Sequence, residues 1–260
     1  MRVLFIGDIF GRPGRQVASD FIPKIKEERK VDFCIANGEN TAGGFGLTLN
    51  NKNKLFSYGI DVVTSGNHIW DRPDTKQLLE NEKCVLRPAN YPPALPGKGD
   101  VVVDKDGIKV GVLNLQGRIF MPAIDCPFRT ADQRIEILRA ETHVIIVDFH
   151  AEATSEKVAM GRYLDGRVSA VIGTHTHVMT ADEKILPRGT AYITDVGMTG
   201  PCESVIGVRI DQSLNRIMNQ VPTRFSPAGG ELMLSAVLFD VDKVSGKAVS
   251  IERILEKKND

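Results

Sequence analysis

The sequence predicts an α/β fold in which a mostly parallel sheet is covered by helices on both sides. One observation is a series of short β-branched runs that are apolar rather than alternating, which is typical of strands buried on both faces. These runs lie at residues 3–6, 33–36, 61–64, 110–115, 144–149, 168–172 and 191–194. The other observation is that helical patterns lie between many of these runs. Alternating strands and helices are typical of a parallel sheet between helical layers.

Helices are predicted at residues 49–58, 73–81 and 152–164, and around the apolar face formed by Val17, Phe21, Ile22 and Ile25. Thr48 is the predicted N-cap of the helix over residues 49–58. Asp71 and Asp74 place negative charge at the start of the next helix, where it suits the helix dipole. Thr154 and Ser155 are the cap candidates for the last predicted helix.

Residues 92–106 interrupt the alternation of strands and helices. The Asp106-Gly107 pair between two apolar runs is a hairpin signal. It predicts an antiparallel ribbon that leads the chain into a second half of the sheet.

The C-terminal part of the chain is predicted to add two strands, at residues 231–240 and 249–255, and the charged residues 256–260 are expected to be a solvated tail. No repeat, low-complexity linker or change in composition marks a domain boundary. We therefore expect residues 1–260 to form a single domain, with a small excursion between residues 207 and 228.

Composition excludes several classes of protein. The 260 residues are 42% hydrophobic and 25% charged, as in an ordinary globular chain. Because 33 Lys and Arg balance 33 Asp and Glu, strong binding to nucleic acid or to an anionic membrane is not expected. No stretch approaches the roughly 20 apolar residues of a membrane span, and the N-terminus lacks the apolar core of a signal peptide. A cytoplasmic location is predicted. The four cysteines form no CxxC pair and are expected to be reduced thiols.

Polar side chains follow five of the predicted strands at the point where each strand ends. They are Asp8, Glu39 with Asn40, Asn67 with His68, His150, and His175 with His177. Because ligands bind at the carboxyl ends of the strands in open α/β sheets, these groups are expected to face one small volume. Carboxylates, amide oxygens and imidazoles together suit first-row metals such as Mn, Fe or Zn better than Mg or Ca. The set is too large for one tetrahedral ion and suits two ions bridged by a carboxylate, an arrangement that hydrolyses phosphate esters.

Several of these residues also have an interpretation without a metal. Asp8 lies in a turn-rich segment where a capping aspartate is common. Asn67 beside a glycine suits a left-handed turn, and Glu39 with Asn40 suits a solvated loop tip. His150 at a strand end is compatible with a hydrogen-bonded core histidine. One shared cause nevertheless explains five coincidences at five strand ends better than five separate causes do.

The remaining histidines differ in how strongly they indicate a site. His175 and His177 are two residues apart, so on an extended segment both side chains would lie on the same face. A neutral pair that shares a cation is favoured there, since two imidazolium groups would repel each other. His143 has no such neighbours and is predicted to be an ordinary histidine at a strand edge.

The segments GDIFGRPGR, NGENTAGG, GNHIWD, DFHAEATSEK and GTHTHV carry a resemblance to a known family. Their order of Asp, G-E-N, GNH, a lone His and HxH resembles the calcineurin-like metallophosphoesterases. Over its whole length the chain is more closely similar to the bacterial YmdB-type branch, described as 2′,3′-cyclic-nucleotide 2′-phosphodiesterases. The wider superfamily has Asp-x-His first and GDxxDR second, where this chain has Asp8-Ile9-Phe10 and Gly38-Glu39-Asn40. These departures match the branch rather than the superfamily at large.

The resemblance implies a four-layer α/β/β/α sandwich of two sheets and two metal ions per chain, Fe or Mn, with Zn as an alternative. One ion would be held by Asp8, Glu39, Asn40 and His177. The other would be held by Glu39, Asn67, His150 and His175, so that Glu39 bridges the two ions.

The resemblance also implies a reaction. A metal-activated water would attack a 2′,3′-cyclic nucleotide, and His68 would donate a proton to the leaving 2′ oxygen, so that the product carries a 3′-phosphate. Arg12 and Arg15 are candidates for steering a phosphate, against the ordinary interpretation of solvated charge. The alternatives are a phosphomonoesterase or protein phosphatase on the same site, or a non-catalytic regulator that binds metal or nucleotide. The sequence leaves open the native metal and whether the chain forms a homo-oligomer.

Overall fold

Two β-sheets pack face to face in the computed structural model, which describes residues 1–258. The strands are, in chain order, β1 (Arg2–Ile6), β2 (Asp8–Ile9), β3 (Phe33–Asn37), β4 (Val62–Thr64), β5 (Asp100–Lys105), β6 (Ile108–Gln116), β7 (Val144–His150), β8 (Ala170–Thr174), β9 (Lys184–Ile185), β10 (Ala191–Ile193), β11 (Met198–Pro201), β12 (Leu232–Val241) and β13 (Ala248–Lys258). The helices are α1 (Gly11–Glu28), α2 (Leu49–Ser57), α3 (Thr75–Asn81), α4 (Pro127–Arg139), α5 (Thr154–Leu164) and α6 (Ile210–Asn219), with a 3-10 helix over Asn67–Trp70.

The two sheets each contain a parallel block of strands. The first sheet has the order β2-β11-β12-β1-β3-β4, with β13 paired to β12, and its strands β1, β3 and β4 are parallel. The second has the order β5-β6-β7-β8-β10-β9, in which β6, β7, β8 and β10 are parallel. The strand ends that carry the polar residues are therefore carboxyl ends of parallel strands in both sheets.

Three apolar clusters separate four layers. The first lies between the first sheet and helices α1, α2 and α3, with Ile22 and Leu55 as helix members. The second lies between the sheets, where Phe5 of β1 shares a cluster with Ile146 of β7. The third lies between the second sheet and helices α4 and α5, with Ile135 on the helix side. The predicted four-layer α/β/β/α sandwich is confirmed.

The sheets also meet through polar contacts near the carboxyl ends of their strands. Asn114 of β6 accepts a hydrogen bond from the backbone N–H of Ser65 and donates one to the Ser65 carbonyl, both at 2.9 Å. Asn37 of β3 donates to Asp148 of β7 over 3.3 Å. All four residues are buried, so these bonds fix the position of one sheet against the other.

Most predicted elements are present, and local signals explain their ends. Thr48 caps α2 as predicted, because its side chain accepts a hydrogen bond from the backbone N–H of Asn51. Asp106 and Gly107 both have positive φ, at 52° and 80°, which is the geometry of a two-residue hairpin turn. The hairpin joins β5 to β6 as antiparallel strands. It starts a separate second sheet, however, rather than a second half of one sheet.

Other expectations are wrong in detail. The last strand is longer than predicted: residues 256–258 are the end of β13, which pairs with β12 up to Lys258, while Glu256 and Lys257 are exposed as expected of solvated charge. The backbone is held by this ladder while charged ends pair at the surface, as Lys257 does with Glu231 at 3.1 Å. Residues 259 and 260 of the predicted tail lie outside the described residues. Neither Thr154 nor Ser155 caps α5, which begins after Ala153 without a side-chain cap.

Helices α4 and α6 were missed by the pattern of apolar residues. Helix α4 carries two signals that predict it, Pro127 in its first turn and the buried residues Ala131, Ile135 and Leu138 at helical spacing. No helix among residues 1–258 is long and apolar enough to cross a bilayer. The four cysteines are free thiols, as expected.

Candidate metal centre

Both sheets supply polar side chains to one rim. Asp8 lies in β2 directly after β1, Glu39 and Asn40 follow β3, and Asn67 begins the 3-10 helix after β4. His150 is the last residue of β7 in the second sheet. His175 and His177 follow β8, which also belongs to the second sheet. The seven side chains predicted from strand ends thus meet between the sheets.

One half of the site is centred on His150. Its Nε2 atom lies 2.9 Å from Glu39 Oε1, 3.0 Å from His175 Nδ1 and 3.2 Å from Asn67 Oδ1. Among the described residues, Glu39, His150 and His175 offer donor atoms that all lie within 4.8 Å of one another, as ligands of one ion would.

The other half of the site is centred on Asn40. Its side-chain amide nitrogen lies 3.2 Å from His177 Nε2, 3.4 Å from Asp8 Oδ1 and 3.5 Å from Glu39 Oε1. His177 Nε2 lies 3.8 Å from Asp8 Oδ1. Glu39 contacts both halves, as a carboxylate shared by two ions would.

Burial and charge act together on these groups. Asp8 and Glu39 are fully buried, and burial raises the pKa of Asp8. Burial also works against ionised Glu39, but the adjacent His150 outweighs it and lowers the pKa of that carboxyl. In return Glu39 overcomes the burial of His150 and raises the pKa of its ring. The buried negative charge on Glu39 is therefore stable only beside a positive charge. A bound cation would supply that charge in place of a proton on His150.

The histidines are arranged as metal-binding histidines are. In each of them one ring nitrogen faces the other donors and the second nitrogen lies within hydrogen-bond distance of an oxygen. These second contacts are His150 Nδ1 with Thr174 Oγ1 at 2.9 Å, His175 Nε2 with Glu152 Oε2 at 3.2 Å, and His177 Nδ1 with the Ile206 carbonyl at 2.9 Å. Such outer contacts fix the tautomer and orientation of metal-ligating imidazoles. The donor set fits metal ions.

The backbone around His175 differs from the expectation of an extended segment. Strand β8 ends at Thr174, and His175 and His177 have positive φ, at 101° and 65°. Residues other than glycine seldom adopt this conformation, and it is concentrated at functional sites. Both rings reach the site through two unusual backbone conformations and not through the alternation of a strand.

His68 stands beside the donors without joining either half. Its backbone N–H donates to Glu39 Oε2 over 3.0 Å, and its Nδ1 lies 2.8 Å from Asp71 Oδ2. The ring packs edge-on against Phe45, with ring centroids 5.0 Å apart. About 30% of the side chain is exposed, so a ligand can reach it.

A cavity of about 360 Å³ opens above the donors. Its polar lining residues include Glu39, Asn40, His68, His175 and His177. Its apolar lining residues are Phe10, Phe45, Ile206, Val208 and Phe225. A lining that combines apolar side chains with a few polar groups is typical of sites for small organic ligands.

Comparison with known proteins matches residues 4–254 to the family of YmdB-like proteins. Over 255 residues the chain is 49% identical to the 2′,3′-cyclic-nucleotide 2′-phosphodiesterase of Bacillus subtilis (strain 168), covering 98% of this chain and 97% of that protein. The chain belongs to the YmdB-like family. This family consists of phosphoesterase hydrolases, so the chain is an enzyme.

Two solved structures agree with the fold. A hypothetical protein from Thermus thermophilus superposes with a TM-score of 0.94 at 43% identity, covering 99% of this chain and 100% of the other. A structure described as a novel phosphatase from Mycoplasma pneumoniae gives a TM-score of 0.93 at 35% identity, covering 100% and 94%.

Arg12, Arg15 and His143 lie outside the candidate metal centre. Arg12 is exposed, Arg15 donates to the Thr41 carbonyl, and neither is among the residues that line the cavity. A role for them in phosphate binding stays a prediction. His143 is exposed directly before β7, remote from the cavity lining, as an ordinary strand-edge histidine would be.

Two carboxylates that contact histidines of the site were given no role there from the sequence. Asp71, which contacts His68, was predicted only as negative charge at a helix start, although its position three residues after His68 is a signal for the contact. Glu152 contacts His175, which is distant in sequence, so no local spacing indicates that contact. The apolar wall of Phe45, Ile206 and Phe225 carries no such signal, because its members come from three separate loops.

Proposed function

We propose that the chain hydrolyses 2′,3′-cyclic nucleotides at the 2′ ester bond and releases nucleotides with a 3′-phosphate. The observation that carries the proposal is the convergence of donors from both sheets on the floor of a cavity that His68 also lines. The named activity of the Bacillus subtilis relative agrees with it. The substrate is thus a small nucleotide with a phosphodiester bond.

The proposal includes two metal ions, Fe or Mn, with Zn as an alternative. One would be held by Asp8, Glu39, Asn40 and His177, and the other by Glu39, Asn67, His150 and His175. When bound, such ions supply an activated water and stabilise the charge on the phosphoryl oxygens. Buried carboxylate, amide and imidazole donors support this assignment, since they suit first-row metals.

The chain itself would supply the proton for the leaving group. Cleavage of the 2′ ester bond expels a ribose oxygen that develops negative charge and needs a proton. His68 lines the cavity beside Glu39, and its contact with Asp71 holds the imidazole in one orientation. We assign it the role of general acid. The apolar wall around Phe225 leaves room for the uncharged part of the nucleotide.

A second candidate function is hydrolysis of phosphomonoesters on the same donors. The Mycoplasma pneumoniae structure, described as a novel phosphatase, favours it. The two candidate functions differ in the substrate, and the same residues of the site would act on either substrate.

The test is a panel of substrates incubated with protein loaded with Mn²⁺, with and without a chelator. We expect 2′,3′-cyclic AMP to give 3′-AMP, separated from 2′-AMP by chromatography, and chelation to abolish the reaction. Formation of 2′-AMP would contradict the assignment of the bond that breaks. Faster turnover of 3′-AMP or a phosphopeptide would favour the monoesterase. Binding of the cyclic nucleotide without turnover would indicate a regulator.

A further inference from the structure

Thr176 separates the two histidines that follow β8, and it is tied to a single carboxylate oxygen. Both its backbone N–H and its hydroxyl donate to Asp195 Oδ2, at 3.0 Å and 2.7 Å. The two bonds fix the backbone and the side chain of Thr176 together. Neither bond belongs to a strand ladder, since β8 ends at Thr174.

Both carboxylate oxygens of Asp195 have partners of their own. It is fully buried, and its Oδ2 also pairs with Lys157 Nζ of α5 at 2.6 Å. Its other oxygen accepts a hydrogen bond from the Gly197 N–H at 2.8 Å. Lys157 is equally buried, with 1% of its side chain exposed. A buried ion pair that is also hydrogen-bonded is rigid, and removing one partner is costly.

The backbone on either side of Thr176 needs such an anchor. His175 and His177 have φ values of 101° and 65°, which cost conformational energy for residues that are not glycine. Such conformations persist where surrounding contacts determine them more than once. Thr176 lies between these two histidines. Its contacts to Asp195 therefore oppose a return of either histidine to an ordinary backbone conformation.

We propose that the Lys157–Asp195 pair positions the two histidines through Thr176 and thereby sets how tightly the chain binds metal. The inference rests on the metal centre of the proposed function. Lys157 and Asp195 touch none of the seven proposed ligands among the hydrogen bonds and ion pairs of residues 1–258. They are therefore positioning residues. The competing explanation is a buried ion pair that only stabilises the fold.

Two substitutions at one position separate the explanations. Thr176→Val keeps the shape of the side chain and removes its hydroxyl, whereas Thr176→Ser keeps the hydroxyl. Thr190→Val is the control. Thr190 precedes β10 and is fully buried, whereas Thr176 is half-buried, and the variant loses a hydroxyl that donates to the Val168 carbonyl at 2.7 Å. All three variants are made in the full chain.

The measurements are the Kd for Mn²⁺ on metal-free protein, by calorimetry, and the melting temperature. We expect Thr176→Val to weaken Mn²⁺ binding by about 10–100-fold, the usual effect of removing a contact behind a metal ligand. Thr176→Ser should restore binding to within about threefold of wild type. Thr190→Val should lower the melting temperature and leave the Kd unchanged.

A variant without the ion pair tests whether Lys157 and Asp195 affect metal binding through Thr176. Lys157→Met with Asp195→Ala removes both buried charges at once, so that no unpaired charge remains. Adding Thr176→Val to this variant should weaken Mn²⁺ binding no further, because the effects of substitutions within one hydrogen-bond network are not additive. Full additivity would overturn the proposal.

The remaining outcomes are distinct. Wild-type binding in Thr176→Val, or equal weakening in Thr190→Val, would overturn the positioning role. Wild-type protein that binds Mn²⁺ but cleaves no cyclic nucleotide would overturn the proposed function alone, since the Kd comparison still applies. Wild-type protein that binds no Mn²⁺ would overturn both.

Discussion

His68 Nδ1 lies 2.8 Å from Asp71 Oδ2, three residues further along the chain in the segment that follows β4. This contact occupies one ring nitrogen and leaves Nε2 as the atom able to give a proton to a ligand. Glu39 holds the backbone of the same residue by accepting its N–H at 3.0 Å. The imidazole is thus fixed from two sides next to the proposed ligands without being one of them.

The role of His68 can be separated from metal binding. His68→Ala should fold and retain its metal, yet hydrolysis of a cyclic phosphate should fall by about 10²–10⁴, the usual contribution of a positioned proton donor. The loss should be much smaller for a nitrophenyl ester, whose leaving group needs no proton. Turnover of both substrates is measured on the same variant with metal content checked. An equal loss on both substrates would rule out the acid role.

Glu39 is predicted to serve both ions, and Asn40 only one. Glu39→Ala should therefore lower the occupancy of both ions and abolish activity. Asn40→Ala should leave partial occupancy, because the donors around His150 remain. Elemental analysis of the two purified variants gives metal ions per chain. Equal stoichiometry in both variants would mean that Glu39 does not bridge.

Gly66 is predicted to be required for metal binding because the His150 ring packs directly against its Cα. A Cβ atom at this position would lie 2.0 Å from Cδ2 and 2.2 Å from Nε2 of His150. Gly66→Ala should push the imidazole away from Glu39 and reduce metal binding at least tenfold, as loss of a ligand contact does. Gly229→Ala is the control, since a Cβ there meets nothing within 4 Å. Calorimetry with Mn²⁺ on both variants decides the matter, and unchanged binding in Gly66→Ala would show that the ring can shift freely.

Cys34 should make stability depend on pH in the alkaline range. Burial raises the pKa of its thiol from 9.0 to about 12. The folded chain therefore holds this proton more tightly than the unfolded chain, and the resulting stability is lost as pH rises from about 9 toward 12. Cys34→Ala lacks this contribution.

Urea unfolding of wild type and Cys34→Ala at pH 8 and pH 10 tests this. The difference in unfolding free energy between them should shrink by about 1.4 kcal/mol at pH 10, one pH unit above the ordinary value. A constant difference would contradict the raised pKa. At pH 8 the native thiol should also resist alkylation until the chain unfolds.

The sequence allowed the donors to be predicted because each follows an apolar strand, and parallel strands align their carboxyl ends. The route by which His175 and His177 reach the site could not be predicted in this way. Their positive φ values flank Thr176, whose backbone N–H and hydroxyl bond to Asp195, 19 residues further along the chain and outside any shared motif. The cavity wall was equally hidden, since Phe45 and Phe225 are distant in sequence and meet only in the folded chain.

The bonds between Asn114 and Ser65 have a consequence beyond holding two residues together. Glu39 follows β3 of the first sheet and His150 ends β7 of the second, so their 2.9 Å separation depends on how the sheets are aligned. Sliding or tilting one sheet by an ångström would separate the donors, even with every side chain intact. The apolar layer around Phe5 thus sets the spacing of the sheets and, with it, the distance between the proposed donors. If the proposed metal ions bind here, their affinity should depend on the packing between the sheets.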